Sequence, residues 1–237
     1  MSLMPVMPHG KIEEVFPDIF FMTGTSRPTF AGVDWQYSRN MIIVRAGNEL
    51  TLINTVRLDD AGLKQLDALG KVSHVVRLGQ FHGIDDAFYR QLYGATQWGL
   101  AGMVGDDGAP PNRLLDASGA APFAPVTFFS FETSALPEGL LLIEREGGVL
   151  VSCDSLQNWV EADSYFDEAS AARMLAAGMI RPANIGPGWR AACTPQASDF
   201  QRLQRLSFKH LLPAHGRPIR DSAFEQFSAT FTREYPG

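Results

Sequence analysis

Thiols and imidazoles are scarce in this chain: two cysteines and five histidines in 237 residues. Cys153 and Cys193 form no CxxC pair, so a four-thiolate zinc site is excluded, and a single bridge between them would make no disulfide scaffold. Long apolar runs are missing too; 41–44 and 149–151 are far too short to span a bilayer. The N-terminus has neither the basic start nor the apolar stretch of a secretion signal. Basic charge is not in excess: 20 Lys+Arg against 26 Asp+Glu leave −6, with no basic stripe, which argues against a nucleic-acid partner. No G-x-S-x-G is present, so a serine-hydrolase elbow is absent. These absences lead us to expect a cytoplasmic protein with reduced thiols, no membrane partner, and a small-molecule substrate or ligand.

The composition, 45% hydrophobic and 19% charged, is that of a globular chain. No linker is polar enough to separate two domains, so a single domain over 1–237 is expected, with 1–10 as a flexible tail. Short alternating or apolar segments at 12–15, 19–23, 40–45 and 50–55, punctuated by Pro17, Gly24, Gly32 and Gly47, read as antiparallel strands. The period then changes. Asp59 and Asp60 can cap a helix with Leu63, Leu66 and Leu69 on one face and Gly70 at its end. A strand over 72–78, a loop over 79–83 and a helix from about Asp85 to Tyr93 follow.

The glycine-rich 99–111 reads as a loop, and strands resume at 126–131, 140–144 and 149–153. Helices are expected over 166–177, around Phe200, Leu203 and Leu206, and over 222–233, with a strand at 208–212. The Pro- and Gly-rich 178–195 reads as irregular. Its Gly186-Pro187-Gly188-Trp189-Arg190-Ala191 fits G-x-G-x-x-A, but Pro187 removes a donor and no strand precedes it, so a turn is the better reading than a dinucleotide site.

Four strand ends carry chemistry: Ile53-Asn54-Thr55, Gln80-Phe81-His82-Gly83-Ile84-Asp85, Cys153-Asp154-Ser155-Leu156 and Pro213-Ala214-His215-Gly216. In α/β architectures such ends are where ligands bind. Their order and spacing resemble the metallo-β-lactamase-like superfamily, over about residues 12–219. The 50–55 segment is similar to L-x-L-I-D-T with Asn54 for Asp; 148–156 to G-x-L-x-x-G-D-x-L with Cys153 for Gly; and 212–218 to P-G-H-G-x-P.

The resemblance implies a four-layer αββα sandwich with a metal site at one edge between two sheets. It also implies hydrolase chemistry. The signature H-x-H-x-D-H has decayed: His82 takes the second His, while Gln80, Ile84 and Asp85 stand at neighbouring ligand positions. A one-residue gap would instead bring Asp85 and Asp86 onto the last two.

Only His82 and His215 fall on histidine positions, since His9, His74 and His210 lie elsewhere and 131–136 holds none. A normal dinuclear site cannot be built. What the resemblance leaves is a reduced, at most mononuclear site of His82, Asp85, Asp154 and His215, with Asp154 as ligand or catalytic base. Two imidazoles and two carboxylates suit Fe(II) or Mn(II) as well as zinc. The other reading is metal-free: an inactive relative that binds a small molecule or protein, its histidines hydrogen-bonded to carboxylates.

Ser155 with Asp154 and His215 can be drawn as a triad, although the resemblance accounts for Asp154 and His215 better. Cys153 beside Asp154 makes a poor nucleophile. Trp35, Trp98, Trp159 and Trp189, in or beside loops, are candidates for a pocket lining; Arg39, Arg57 and Arg77 are candidates for an anionic substrate.

Overall fold

In the computed structural model, residues 5–105, 108–116 and 118–236 are described. The strands of the first half are β1 (Glu13–Phe16), β2 (Ile19–Ser26), β3 (Thr29–Phe30), β4 (Val33–Asp34), β5 (Tyr37–Ala46), β6 (Glu49–Ile53), β7 (Lys71–Val76), β8 (Thr96–Gly99) and β9 (Arg113–Leu114). Helix α1 (Asp60–Leu69) joins β6 to β7, and α2 (Asp86–Tyr93) joins β7 to β8. The second half holds β10 (Val126–Ser130), β11 (Gly139–Ile143), β12 (Val149–Ser152), β13 (Leu156–Gln157), α3 (Glu168–Ala176), β14 (Asn184–Ile185), α4 (Pro187–Cys193), α5 (Ala197–Leu203), β15 (His210–Pro213) and α6 (Ala223–Glu234).

Seven strands form one sheet, β1-β2-β5-β6-β7-β8-β9, and four form another, β10-β11-β12-β15. The first is antiparallel up to β6 and parallel beyond it, with α1 and α2 as the crossovers into β7 and β8.

Alternation along the strands sorts side chains into three apolar layers. Ile19, Phe21, Ile42, Val44 and Ile53 face Leu141, Ile143, Val149, Val151 and Leu212 between the sheets. Their sequence neighbours Phe20, Met22, Met41, Ile43 and Leu52 point the other way, onto Leu66 of α1 and Tyr89 of α2. In the second sheet Leu140, Leu142, Leu150 and Leu211 turn outward onto Trp189, Phe200, Phe227 and Phe231 of α4, α5 and α6. Helix, sheet, sheet, helix is the expected four-layer αββα sandwich.

Local chemistry sets the boundaries. Asp59 caps α1 by accepting the Gly62 amide at 2.7 Å, and Asp167 caps α3 through Ser170 at 2.6 Å. The segment 178–195, expected to be irregular, instead contains β14 and α4. Pro187 stands in the first turn of α4, where its missing N–H costs no hydrogen bond. The 8–10 stretch, expected in a flexible tail, is tied down: Gly10 N donates to Thr23 O, Thr25 Oγ1 to Pro8 O and Asp59 N to His9 Nε2. Residues 1–4 of that tail, and 106–107 of the 99–111 loop, lie outside the described residues. Phe129 and Phe131 are core residues. Among the described residues no helix is long and apolar enough to cross a membrane.

Candidate metal centre

The carboxyl ends of β6 and β7 in one sheet, and of β12 and β15 in the other, meet at one edge. Asn54 Nδ2 donates to Ser152 O at 3.0 Å, Asn40 Nδ2 to Pro213 O at 2.9 Å, and Gly139 N to Leu78 O at 2.8 Å. The loops carrying His82, Asp154 and His215 emerge there. Two glycines let them approach. Gly83 has φ 112°, and a Cβ on it would sit 1.9 Å from the Arg77 guanidinium; Gly216 has φ 86°, and a Cβ there would meet Asn158 O at 2.1 Å.

Three of the four residues expected as ligands come together. His82 Nε2 lies 3.1 Å from His215 Nε2 and 3.5 Å from Asp154 Oδ1, and His215 Nε2 lies 3.1 Å from the same Oδ1. Both imidazoles are buried. His215 Nδ1 is 3.1 Å from Ser38 O and donates to it, which leaves Nε2 directed at Asp154. A metal ion or a proton held between Nε2 and Oδ1 would satisfy both atoms at this 3.1 Å separation.

Burial holds His82 below the usual imidazole range, outweighing the pull of Asp154. Burial alone would push Asp154 up, but His82 and His215 overcome it and hold the carboxyl well below its usual range. The set offers two imidazole Nε2 atoms and one carboxylate oxygen. Ligand atoms around a tetrahedral zinc ion at about 2.0–2.2 Å stand about 3.3–3.5 Å apart, so these separations suit one ion.

Asp85 goes elsewhere. Its Oδ2 is ion-paired with Arg39 and accepts the Arg57 amide at 2.9 Å. Asp86 accepts Arg77 Nε at 3.0 Å, Thr55 Oγ1 at 2.6 Å and Gln97 Nε2 at 3.0 Å. Arg39 and Arg77, candidates for binding an anion, are thus neutralised in buried pairs. Gln80 Oε1 is buried and has no hydrogen-bond partner among the described residues.

Cys153 lies with His82 and Asp154, their ligand atoms within 4.8 Å of one another. Burial, then the charges of Asp154 and Glu138, push its thiol well up, so it stays protonated. Ser155 Oγ makes no hydrogen bond among the described residues, and the drawn triad is not assembled.

Sequence reasoning missed Glu138, whose carboxylate accepts the Ser155 amide directly behind Asp154. It also left the pocket undefined. A cavity of about 570 Å³ opens over His82, Asp154 and His215, walled by Trp35, Trp159 and Trp189. Trp98 belongs instead to the layer between the sheets. The tryptophan-bearing loops were the available signal.

No family model matches the chain, and no curated protein sequence does. Solved structures do. The DIM-1 metallo-β-lactamase is similar with a TM-score of 0.61 and 11% identity, over 97% of this chain and 100% of that one. The mono-zinc form of FIM-1, a metallo-β-lactamase from Pseudomonas aeruginosa, gives 0.60 and 14% over the whole of both chains. A metallo-β-lactamase from Pontibacter korlensis gives 0.58 and 13%, over 94% of this chain and 98% of its own. The chain has the metallo-β-lactamase fold.

Proposed function

We propose that this metallo-β-lactamase-fold chain is a metal-dependent hydrolase with a single-ion centre held by His82, Asp154 and His215. The observation that carries the reading is the triangle of two Nε2 atoms and one Oδ1 at 3.1–3.5 Å. In it an imidazole nitrogen and a carboxylate oxygen face each other, an arrangement that a shared cation would satisfy. The mono-zinc form of FIM-1 is a precedent for one ion in this fold. Two nitrogens and one oxygen accommodate zinc, Fe(II) or Mn(II).

When bound, a divalent ion supplies Lewis acidity and a coordinated water that ionises near neutral pH. The chain's own residues do the rest. Ser38 O fixes the His215 tautomer and ring, as partners of metal-binding imidazoles commonly do. Trp159 tilts over His215 with ring centroids 4.9 Å apart, and Tyr37 meets its edge at 5.7 Å, so the ring has little room to turn. Burial, reinforced by Asp154, pushes Tyr37 up; it stays a phenol able to donate to a substrate oxygen. Asp154 Oδ1 faces the histidines, so its second oxygen is the acceptor that can orient an attacking water.

The test is metal content by plasma mass spectrometry on chelator-free protein, beside Asp154→Ala and His215→Ala. The expected result is about one equivalent of zinc, iron or manganese, lost in both variants but kept in Cys153→Gly. No uptake from any of the three ions would overturn the proposal in favour of a metal-free binding protein. Metal retained by His215→Ala would remove the ligand assignment.

A further inference from the structure

Resting on that hydrolase reading, we infer that the substrate is an uncharged ester or thioester with a large apolar acyl group. The cavity above the centre has the volume of a small-molecule site, about 570 Å³. Its walls are Trp35, Trp159 and Trp189 with Met174 and Met179, aromatic surfaces and flexible thioethers that fit an extended apolar body.

The mouth is apolar as well. Phe30 and Val33, on the β3–β4 hairpin, line the cavity yet are 52% and 39% exposed. Phe81 and Ile84, flanking His82 in its loop, are 51% and 37% exposed. Four large apolar side chains kept in water around one opening leave surface that an apolar ligand would cover.

Charge narrows the class further. Among the described residues outside the His82–Asp154–His215 centre, Arg39 is the one charged side chain lining the cavity, and Asp85 neutralises it. Away from the ion at the centre, a carboxylate on the substrate would meet apolar walls and no unmatched cation among the described residues, which is costly. The ester carbonyl has its place beside the centre, and the acyl chain runs along the tryptophans. Hydrolysis breaks the acyl C–O or C–S bond. Water's oxygen stays on the acyl carbon as carboxylate, the alcohol or thiol departs with one proton, and a second proton goes to solvent.

The experiment uses metal-loaded protein and p-nitrophenyl acetate, butyrate and octanoate. It adds the matched pair p-nitrophenyl valerate and hemiglutarate, the latter ending in a carboxylate. In parallel, chelator-treated protein is titrated with the neutral fluorophore N-phenyl-1-naphthylamine. The kcat/KM should rise at least about 50-fold from acetate to octanoate, since each buried methylene is worth about fourfold and burying about three of the added ones suffices. Valerate should exceed hemiglutarate by about tenfold or more.

The fluorophore should bind, and Phe81→Asp and Ile84→Asp should weaken both readouts. Leu92→Asp, exposed on α2 away from the cavity, should change neither. Hydrolysis without chain-length or charge preference would overturn this inference and leave the hydrolase reading standing. Selective fluorophore binding with no ester cleaved would overturn the ester assignment and leave the cavity as an apolar binding site. A cavity that does not take up the fluorophore would overturn the inference outright.

Discussion

Arg39 and Asp85 form an ion pair buried on both sides, with side-chain exposures of 7% and 6%. The pair explains why a carboxylate three residues after His82 stands apart from the histidines. Removing one member of such a pair leaves an uncompensated charge in the interior, a loss of about 3–5 kcal/mol. Asp85→Ala should therefore lower stability by about that amount in urea unfolding while metal content stays unchanged. A double replacement, Arg39→Met with Asp85→Leu, should recover most of the loss. Metal lost from Asp85→Asn at wild-type stability would return Asp85 to the ligand set.

The layered fold was legible because its signals are local and repeated. Phe20 and Phe21, or Ile42 and Ile43, sit on opposite faces of one strand, and turn residues bound nearly every run. Elements built on weaker signals were not. Strands β3 and β4 are two residues each. Helix α4 begins on a proline inside a Gly- and Pro-rich stretch, where the same residue that starts a helix also reads as a breaker.

The site divides in the same way. His82, Asp154 and His215 were visible as polar residues at strand ends. Whether Asp85 or Asp86 joined them depended on the turn of a loop bounded by Gly79 and Gly83, and on arginines distant in sequence. Arg39 comes from β5 and Arg77 from the end of β7, and their charges set the direction of both carboxylates. Glu138 had no local mark at all, because its role arises only when β11 pairs with β12 and brings it beside the Ser155 amide.

Asn54 stands at a left-handed φ of 55° and bridges the sheets through Nδ2 to Ser152 O. The motif it resembles has aspartate there. Here an aspartate would set a carboxylate against a carbonyl oxygen and lose the donor. Asn54→Asp should cost about 1–3 kcal/mol at neutral pH. The penalty should shrink as pH falls toward about 4, the unfolded carboxyl's value, because the folded carboxyl, set against a carbonyl oxygen, takes up its proton first and can donate again. Urea unfolding at both pH values checks the magnitude and the sign; an unchanged midpoint at neutral pH would show that the bridge adds nothing to stability.

His74, in β7, accepts the Trp98 indole N–H at 3.2 Å, and burial holds its ring below the usual imidazole range. A depressed value means that the folded state disfavours the proton. The stability this lends is complete above the ordinary value of about 6.5 and is lost as pH falls from there through the folded value. His82 acts with the same sign. His74→Gln should therefore flatten part of the stability loss between about pH 7 and pH 5 without abolishing it. Parallel unfolding curves for the two proteins across that range would show that His74 takes up its proton equally in both states.

Glu138 is buried behind the centre, its Oε1 accepting the Ser155 amide and its Oε2 without a partner among the described residues. Burial, and then the charge of Asp154, push its carboxyl well up. Glu138 thus works as an acceptor that holds the turn carrying Asp154. Glu138→Gln keeps an acceptor oxygen in the same place and should leave stability within about 1 kcal/mol, with metal content unchanged. Glu138→Ala strands the Ser155 N–H in the interior and should cost about 1–3 kcal/mol. Metal affinity should fall with it by about 10- to 100-fold, because Asp154 loses the support that aims it. Calorimetric titration of chelator-treated protein with zinc separates the two effects. Equal zinc affinity in the Gln and Ala variants would show that the turn holds Asp154 without help from Glu138.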